Sequence, residues 1–284
     1  MRLRLQSALR NQHVRIGVAV AILVSMGWVL ALELSQPNDI ALRANTSQAV
    51  YDKKGTLLRL SLSSDEHYRL PVALETIAPA ALEAVLLHED QNFYEHNGVD
   101  WLALGRAAVQ TYVLGARRQG ASTITMQLAR MRYGIDSRSI GGKLKQMWSA
   151  LCIDYHYTKG QILEAFFALL PYGSNIQGIE AASLLYFDKR AKDLNQREAF
   201  ALAVIPQSPT RRTPKTAAGR ARLFSAANRL LKRAGLHLSA TLVFGNVSRA
   251  RPLIAPHFAD AILAQPPNRS GSDAHIQTTI DTEK

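Results

Sequence analysis

A chain of 284 residues with 47% apolar side chains can fill one large core or two small ones, which excludes global disorder. The single cysteine, Cys152, excludes an intramolecular disulfide, and its helical apolar pattern reads as a small core hydrophobe. The net charge of +12 is segmental: Arg2, Arg4, Arg10 and Arg15 precede any acid, and ten Lys/Arg with no Asp or Glu lie between Arg211 and Arg251. Either block suits an anionic membrane surface or an acidic ligand. No aromatic-interleaved basic stripe supports a nucleic-acid partner, no Cys/His cluster has zinc spacing, and there is no glycine-rich phosphate loop.

In chain order, residues 1–15 form a basic head that leads into the uncharged run IGVAVAILVSMGWVLAL. At ~1.5 Å per residue this run is about 25 Å long, the short end of a bilayer span, so residues 16–34 are expected to form a transmembrane anchor with Glu33 at its far edge. A cleaved signal peptide competes, but the run is long for one and LELSQPND lacks a small-x-small cleavage pattern. The arginine-rich head stays cytoplasmic on this reading and the body lies outside. Residues 35–70 read as a connector in which VYDKKGTLLRLSL makes a hairpin of two edge strands around Lys54-Gly55.

From Pro71 the pattern is helical. PAALEAVLLHED, WLALGRAAVQTYVL, MQLARMRY, GKLKQMWSALCIDYHY, KGQILEAFFALL, EAASLLYF and REAFALAVI predict a mostly α domain over residues 71–235 with almost no strand signal. RARLFSAANRLLKRAG adds a helix closed by Gly235, beyond which only RPLIAPHFADAIL suggests another.

The chemistry concentrates between Glu89 and Arg130. Glu89 falls on the apolar stripe of its helix, where partial desolvation raises a carboxyl pKa and suits it to act as a general base; pairing with a nearby Arg is the structural alternative. Asp90, Phe93, His96, Gly98 and Asp100 follow; Gly98 permits a positive φ, and His96 is placed to satisfy a carboxylate in the fold. In GASTITMQLAR, Ser122 or Thr123 can cap the next helix, whose N-terminus is either an anion site that Arg130 reaches or simply a capped helix.

EDQNFYEHNGVD and GASTITMQLAR resemble the first two signature motifs of the peptidoglycan glycosyltransferases, the domain found in class A penicillin-binding proteins. RSIGGKLKQMWSALCIDYHYTKGQILEAFFALLPYGSNIQGIEAASLLYF and LNQREAFALAVIPQSP resemble the later motifs in the same order. Met126 and the GGKLKQMW run are most similar to the penicillin-binding protein 1C branch. The resemblance implies a lysozyme-like glycosyltransferase domain on a single N-terminal transmembrane helix, held at the outer face of the bacterial cytoplasmic membrane. It implies polymerisation of lipid II into glycan strands with release of undecaprenyl pyrophosphate. Glu89 would then be the general base, with Asp90, Phe93 and His96 shaping the cleft around it. Ser122, Thr123, Gln127 and Arg130 would contact donor sugar and phosphate. Arg138, Lys143 and Lys145 would neutralise the pyrophosphate, alone or with a divalent cation (Mg or Mn). The implied partners are lipid II, the nascent strand, the membrane and a separate transpeptidase.

The third family motif is usually an Arg-Lys pair followed by a Glu, and here Gly142 and Lys143 occupy the pair. Gln146 stands where a Glu is usual, and Ala168 where an Asn is usual. If that Glu is required, the chain would be slow or inactive. This motivates the alternative of an impaired membrane scaffold that binds lipid II or cell-wall synthases. Residues 236–284 read as a tail whose HIQTTID resembles the opening strand of a transpeptidase domain, with no S-x-x-K nucleophile in the chain.

Overall fold

The computed structural model describes residues 20, 23–35, 39–40, 46–115, 121–237, 242–245, 256–263 and 275–279. Residues 16–19 and 21–22 of the expected anchor lie outside them. Residues 23–34 form a helix, α1, but among the described residues no helix is long and apolar enough to cross a membrane. The helix α1 meets the body through Trp28, whose ring is T-shaped against Trp148 at 5.1 Å.

The expected hairpin forms. Strand β1 (Ala49–Tyr51) pairs antiparallel with β2 (Leu57–Leu60) across a turn in which Gly55 has φ +84° and the Asp52 carboxylate accepts from the Lys54 and Thr56 N–H groups. Of these two strands, however, only β2 lies at an edge. β6 (His275–Gln277), from the far end of the chain, adds parallel to β1 and makes β1 the centre of three. A sequence separation above two hundred residues hid that pairing.

Helices follow in the expected order: α2 (Pro79–Glu89), α3 (Trp101–Ala108), α4 (Ile124–Tyr133), α5 (Ile140–His156), α6 (Lys159–Leu169), α7 (Ile179–Phe187), α8 (Gln196–Val204), α9 (Ala217–Arg233) and α10 (Pro256–Leu263). Their starts are chemically specified. Asp100, Thr123, Ser139, Thr158, Asn195 and Thr216 each accept from a first-turn N–H, and Thr158–Gln161 and Asn195–Glu198 form full capping boxes. Two features differ from expectation. The single helix expected at WLALGRAAVQTYVL ends at Ala108 and continues as a π-helical turn, Val109–Val113. A second sheet also forms, in which β3 (Tyr68–Arg69) pairs with β5 (Ile176–Gln177) and β5 with β4 (Pro171–Gly173). It is built on a turn with positive φ at Gly173 and Ser174, with a further positive-φ residue, Gly178, after β5, and strands this short leave no period-two signature in a sequence.

The centre of the fold is α7, buried all round from Ile179 to Leu184 and again at Tyr186 and Phe187. Phe166 and Phe167 of α6 and Phe200 of α8 are fully buried in the same core, each contributing roughly 1.5–3 kcal/mol by leaving water. Glu180 is buried inside this helix and its charge is met by the Arg190 guanidinium and the Ala191 N–H. The core thus sets α2 against α8 and α9, and α4 against α5 and α6, which brings the end of α2 to the start of α4.

Candidate functional site

The site is built where α2 stops. Asp90 caps the end of α2 with φ −162°, a break that turns the chain and leaves Glu89 on the last helical position. The Glu89 side chain is 15% exposed, and burial pushes its carboxyl above the usual carboxylate range. Three neighbours oppose that rise without cancelling it: the Gln127 amide, which donates to Oε2 at 2.7 Å, and the charges of Arg212 and Arg130. A carboxyl whose pKa burial raises, with one oxygen bonded to Gln127, is suited to take up a proton as a general base.

Asp90 does a different job. It is buried, accepts from the Ile124 N–H at 2.9 Å and meets His96 Nε2 at 3.1 Å from both of its oxygens. The first N–H of α4 is therefore held by the protein's own carboxylate, and Thr123 takes the Met126 N–H. The helix terminus proposed as an anion site is occupied from within at those two groups. Thr123, not Ser122, is the cap, and its hydroxyl also donates to the Gly98 carbonyl at 2.6 Å. Gly98 has φ +79°, and a Cβ there would lie 2.5 Å from the Ala150 carbonyl oxygen of α5, so only glycine fits. Phe93 is fully buried beneath the Lys159 ammonium, which is 4.7 Å from its ring centroid and 2.6 Å from both the His96 carbonyl oxygen and Asp154. Asp90, Phe93, His96, Gly98 and Thr123 thus lock the loop that presents Glu89.

On the opposite side, Lys143 in the first turns of α5 donates to Ser122 Oγ at 2.8 Å and to Gln146 Oε1 at 3.0 Å. Gln146 is 1% exposed and its amide nitrogen donates to the Met126 carbonyl at 2.7 Å. Arg130 is exposed on α4 and adds positive potential to both Glu89 and Lys143. The structure does not bring Arg138 and Lys145 into this network. Both side chains are exposed near the start of α5.

Glu89, Asp90, Ser122 and Thr123 line a cleft of about 540 Å³ together with His88, Arg106, Gln110 and Arg233. Sequence reasoning did not single out His88, Arg212 or Arg233 as site residues. His88 Nε2 lies 3.8 Å from Glu89 Oε1, and burial with the charges of Arg212 and Arg233 lowers its pKa to about 4. Its position beside Glu89 was visible; the approach of α9 and the preceding loop, more than a hundred residues on, was not. At Ala168 the backbone carbonyl closely approaches Gly178, where a Cβ would lie 2.9 Å from it. Among the described residues no three His, Cys, Asp or Glu side chains converge as a metal site. Both Asp90 oxygens face His96, and one Glu89 oxygen is bound to Gln127, so this donor set does not fit a divalent cation.

A family model described as Transglycosylase matches residues 54–234. Penicillin-binding protein 1C of Escherichia coli strain K12 is 35% identical over 246 residues, covering 84% of this chain and 31% of that protein. Penicillin-binding protein 1A of Vibrio cholerae is 28% identical over 286 residues, covering 94% of this chain and 34% of that protein. The chain therefore spans about a third of the length of these relatives. A crystal structure of penicillin-binding protein 1A from Haemophilus influenzae aligns with a TM-score of 0.37 at 15% identity, covering 84% of this chain and 27% of that one.

Proposed function

The chain belongs to the transglycosylase family, and from that premise we propose that it is a peptidoglycan glycosyltransferase that polymerises lipid II with inversion at the anomeric carbon. The observation that carries the reading is Glu89. It is a largely buried carboxyl at a cleft edge, held by Gln127 and with the cations of Arg106 and Arg233 lining the same cleft. In the proposed reaction Glu89 takes the proton of the acceptor sugar's 4-hydroxyl as that oxygen attacks the donor's anomeric carbon. The bond to the lipid pyrophosphate breaks, and the leaving group departs with the electron pair. Lys143, Arg130 and Ser122 lie on the side where that anion would develop, and stabilising it in a partly desolvated site is worth far more than in water. Asp90, His96 and Thr123 act by holding the loop and the helix.

The anchor, the outer-face location and a separate transpeptidase partner belong to the same proposal. The scaffold alternative rested on Gln146. An intact, tuned Glu89 favours the enzyme. The test is polymerisation of labelled lipid II by the detergent-purified protein, with Glu89→Gln in parallel. Glycan product from wild type, reduced at least a thousandfold in the variant, is the expected result. Lipid II binding without product from wild type would leave the scaffold, and product from both would mean another base.

A further inference from the structure

Lys143 is a cation placed against its surroundings. It sits in the first turns of α5, at the positive end of that helix, and burial and the nearby Arg130 both lower its pKa. No carboxylate lies within ion-pair distance of it among the described residues. Its contacts are two neutral oxygens, Ser122 Oγ at 2.8 Å and Gln146 Oε1 at 3.0 Å. An ammonium held only by neutral acceptors is oriented by them without having its charge cancelled by a carboxylate.

Gln146 is what holds it there. The residue is 1% exposed, and its two amide atoms have different partners. The nitrogen must face the Met126 carbonyl, which can only accept, so the oxygen must face Lys143. A carboxylate of the same shape could not do this. One oxygen would oppose the Met126 carbonyl oxygen with no hydrogen between them, and the other would form an ion pair with Lys143. We infer that Gln146 is a positioning residue for anion binding, a neutral tether that fixes the Lys143 ammonium beside Ser122 while leaving its charge uncancelled for the pyrophosphate of a lipid-linked donor. Gln146 is on this account a working solution, not a damaged site. The inference rests on the proposed reading of the cleft.

The test uses the full chain in detergent and three readouts: binding of inorganic pyrophosphate by calorimetry, titration of the Lys143 ammonium by NMR on lysine-labelled protein, and the split between KM and kcat in polymerisation. Gln146→Glu is expected to weaken pyrophosphate binding at least tenfold, raise the Lys143 pKa and raise KM more than it lowers kcat. Gln146→Met fills the same volume and keeps the site neutral. It is expected to weaken binding through lost positioning, without the upward pKa shift. Equal or tighter pyrophosphate binding by Gln146→Glu would overturn the inference, as would wild-type binding that is absent or indifferent to Lys143→Ala. Wild-type pyrophosphate binding that Gln146→Glu weakens, without any polymerisation, would sink the enzyme reading and leave the tether standing.

Discussion

Glu89 and His88 are adjacent on α2 and respond to the same burial with opposite consequences for stability. Burial disfavours the charged form of each. For Glu89 the folded protein keeps a proton that the unfolded chain releases, so stability falls as pH rises from 4.5 toward the raised value. For His88 the unfolded chain takes a proton near 6.5 that the folded protein takes only near 4, so stability is gained as pH rises through that window. The His88 contribution is on the order of 3 kcal/mol at full extent. Thermal unfolding followed from pH 4 to 7 should therefore separate them. Glu89→Gln should make the rise in Tm with pH steeper than wild type, and His88→Phe should flatten it. Parallel profiles for wild type and both variants would show that neither group is desolvated as described. The carboxyl was legible in the sequence because it interrupts an apolar stripe. The cations that hold His88 neutral were not, because Arg212 and Arg233 are brought by the packing of α9 on α2 and α8.

At the scale of elements, the helices were legible because caps and apolar periodicity agree. Thr123 before MQLAR and Ser139 before the GGKLKQMW run are hydroxyl caps in the structure. The β4–β5 turn was not legible, since its information lies in two positive-φ residues, Gly173 and Ser174, and not in a pattern. The loop between α2 and α3 lies between these cases: Gly98 signalled a tight exit, and the structure adds that α5 passes against it. Gly98→Ala combines a strained φ of +79° with a Cβ placed 2.5 Å from the Ala150 carbonyl oxygen. Relief requires moving α5 or the loop, and moving the loop breaks the Thr123 hydroxyl bond to the Gly98 carbonyl. A loss of about 3 kcal/mol or more is expected. Denaturant unfolding measures it, and a cost below about 1 kcal/mol would show that the loop yields freely. Because that loop carries Asp90 and His96, kcat should fall in the part that stays folded.

At the scale of the whole molecule, the described surface leaves large apolar side chains in water beside the cleft. Trp101 and Leu102 at the start of α3 are 56% and 80% exposed, and Ile140 and Leu144 at the start of α5 are 82% and 60% exposed. The apolar α1 docks on the same α5 through Trp28 and Trp148, with the exposed cations of Arg138 and Lys145 nearby in sequence. Exposed apolar side chains at the starts of α3 and α5, with exposed cations in the same α5 segment, have the composition that an anionic bilayer surface would cover. A leucine-sized side chain transferred from water gains roughly 1.5–3 kcal/mol, so replacing two of them by acids should reduce vesicle partitioning at least tenfold. The double variant Leu102→Asp, Ile140→Asp should show this by co-sedimentation with phosphatidylglycerol vesicles, with its Tm within a few degrees of wild type because both positions are exposed. Inorganic pyrophosphate binding should be unchanged in that variant, while turnover of the lipid-linked substrate falls. Unaltered co-sedimentation would assign this face to something other than a membrane, and a matching loss of pyrophosphate binding would mean that the substitutions had disturbed the cleft itself.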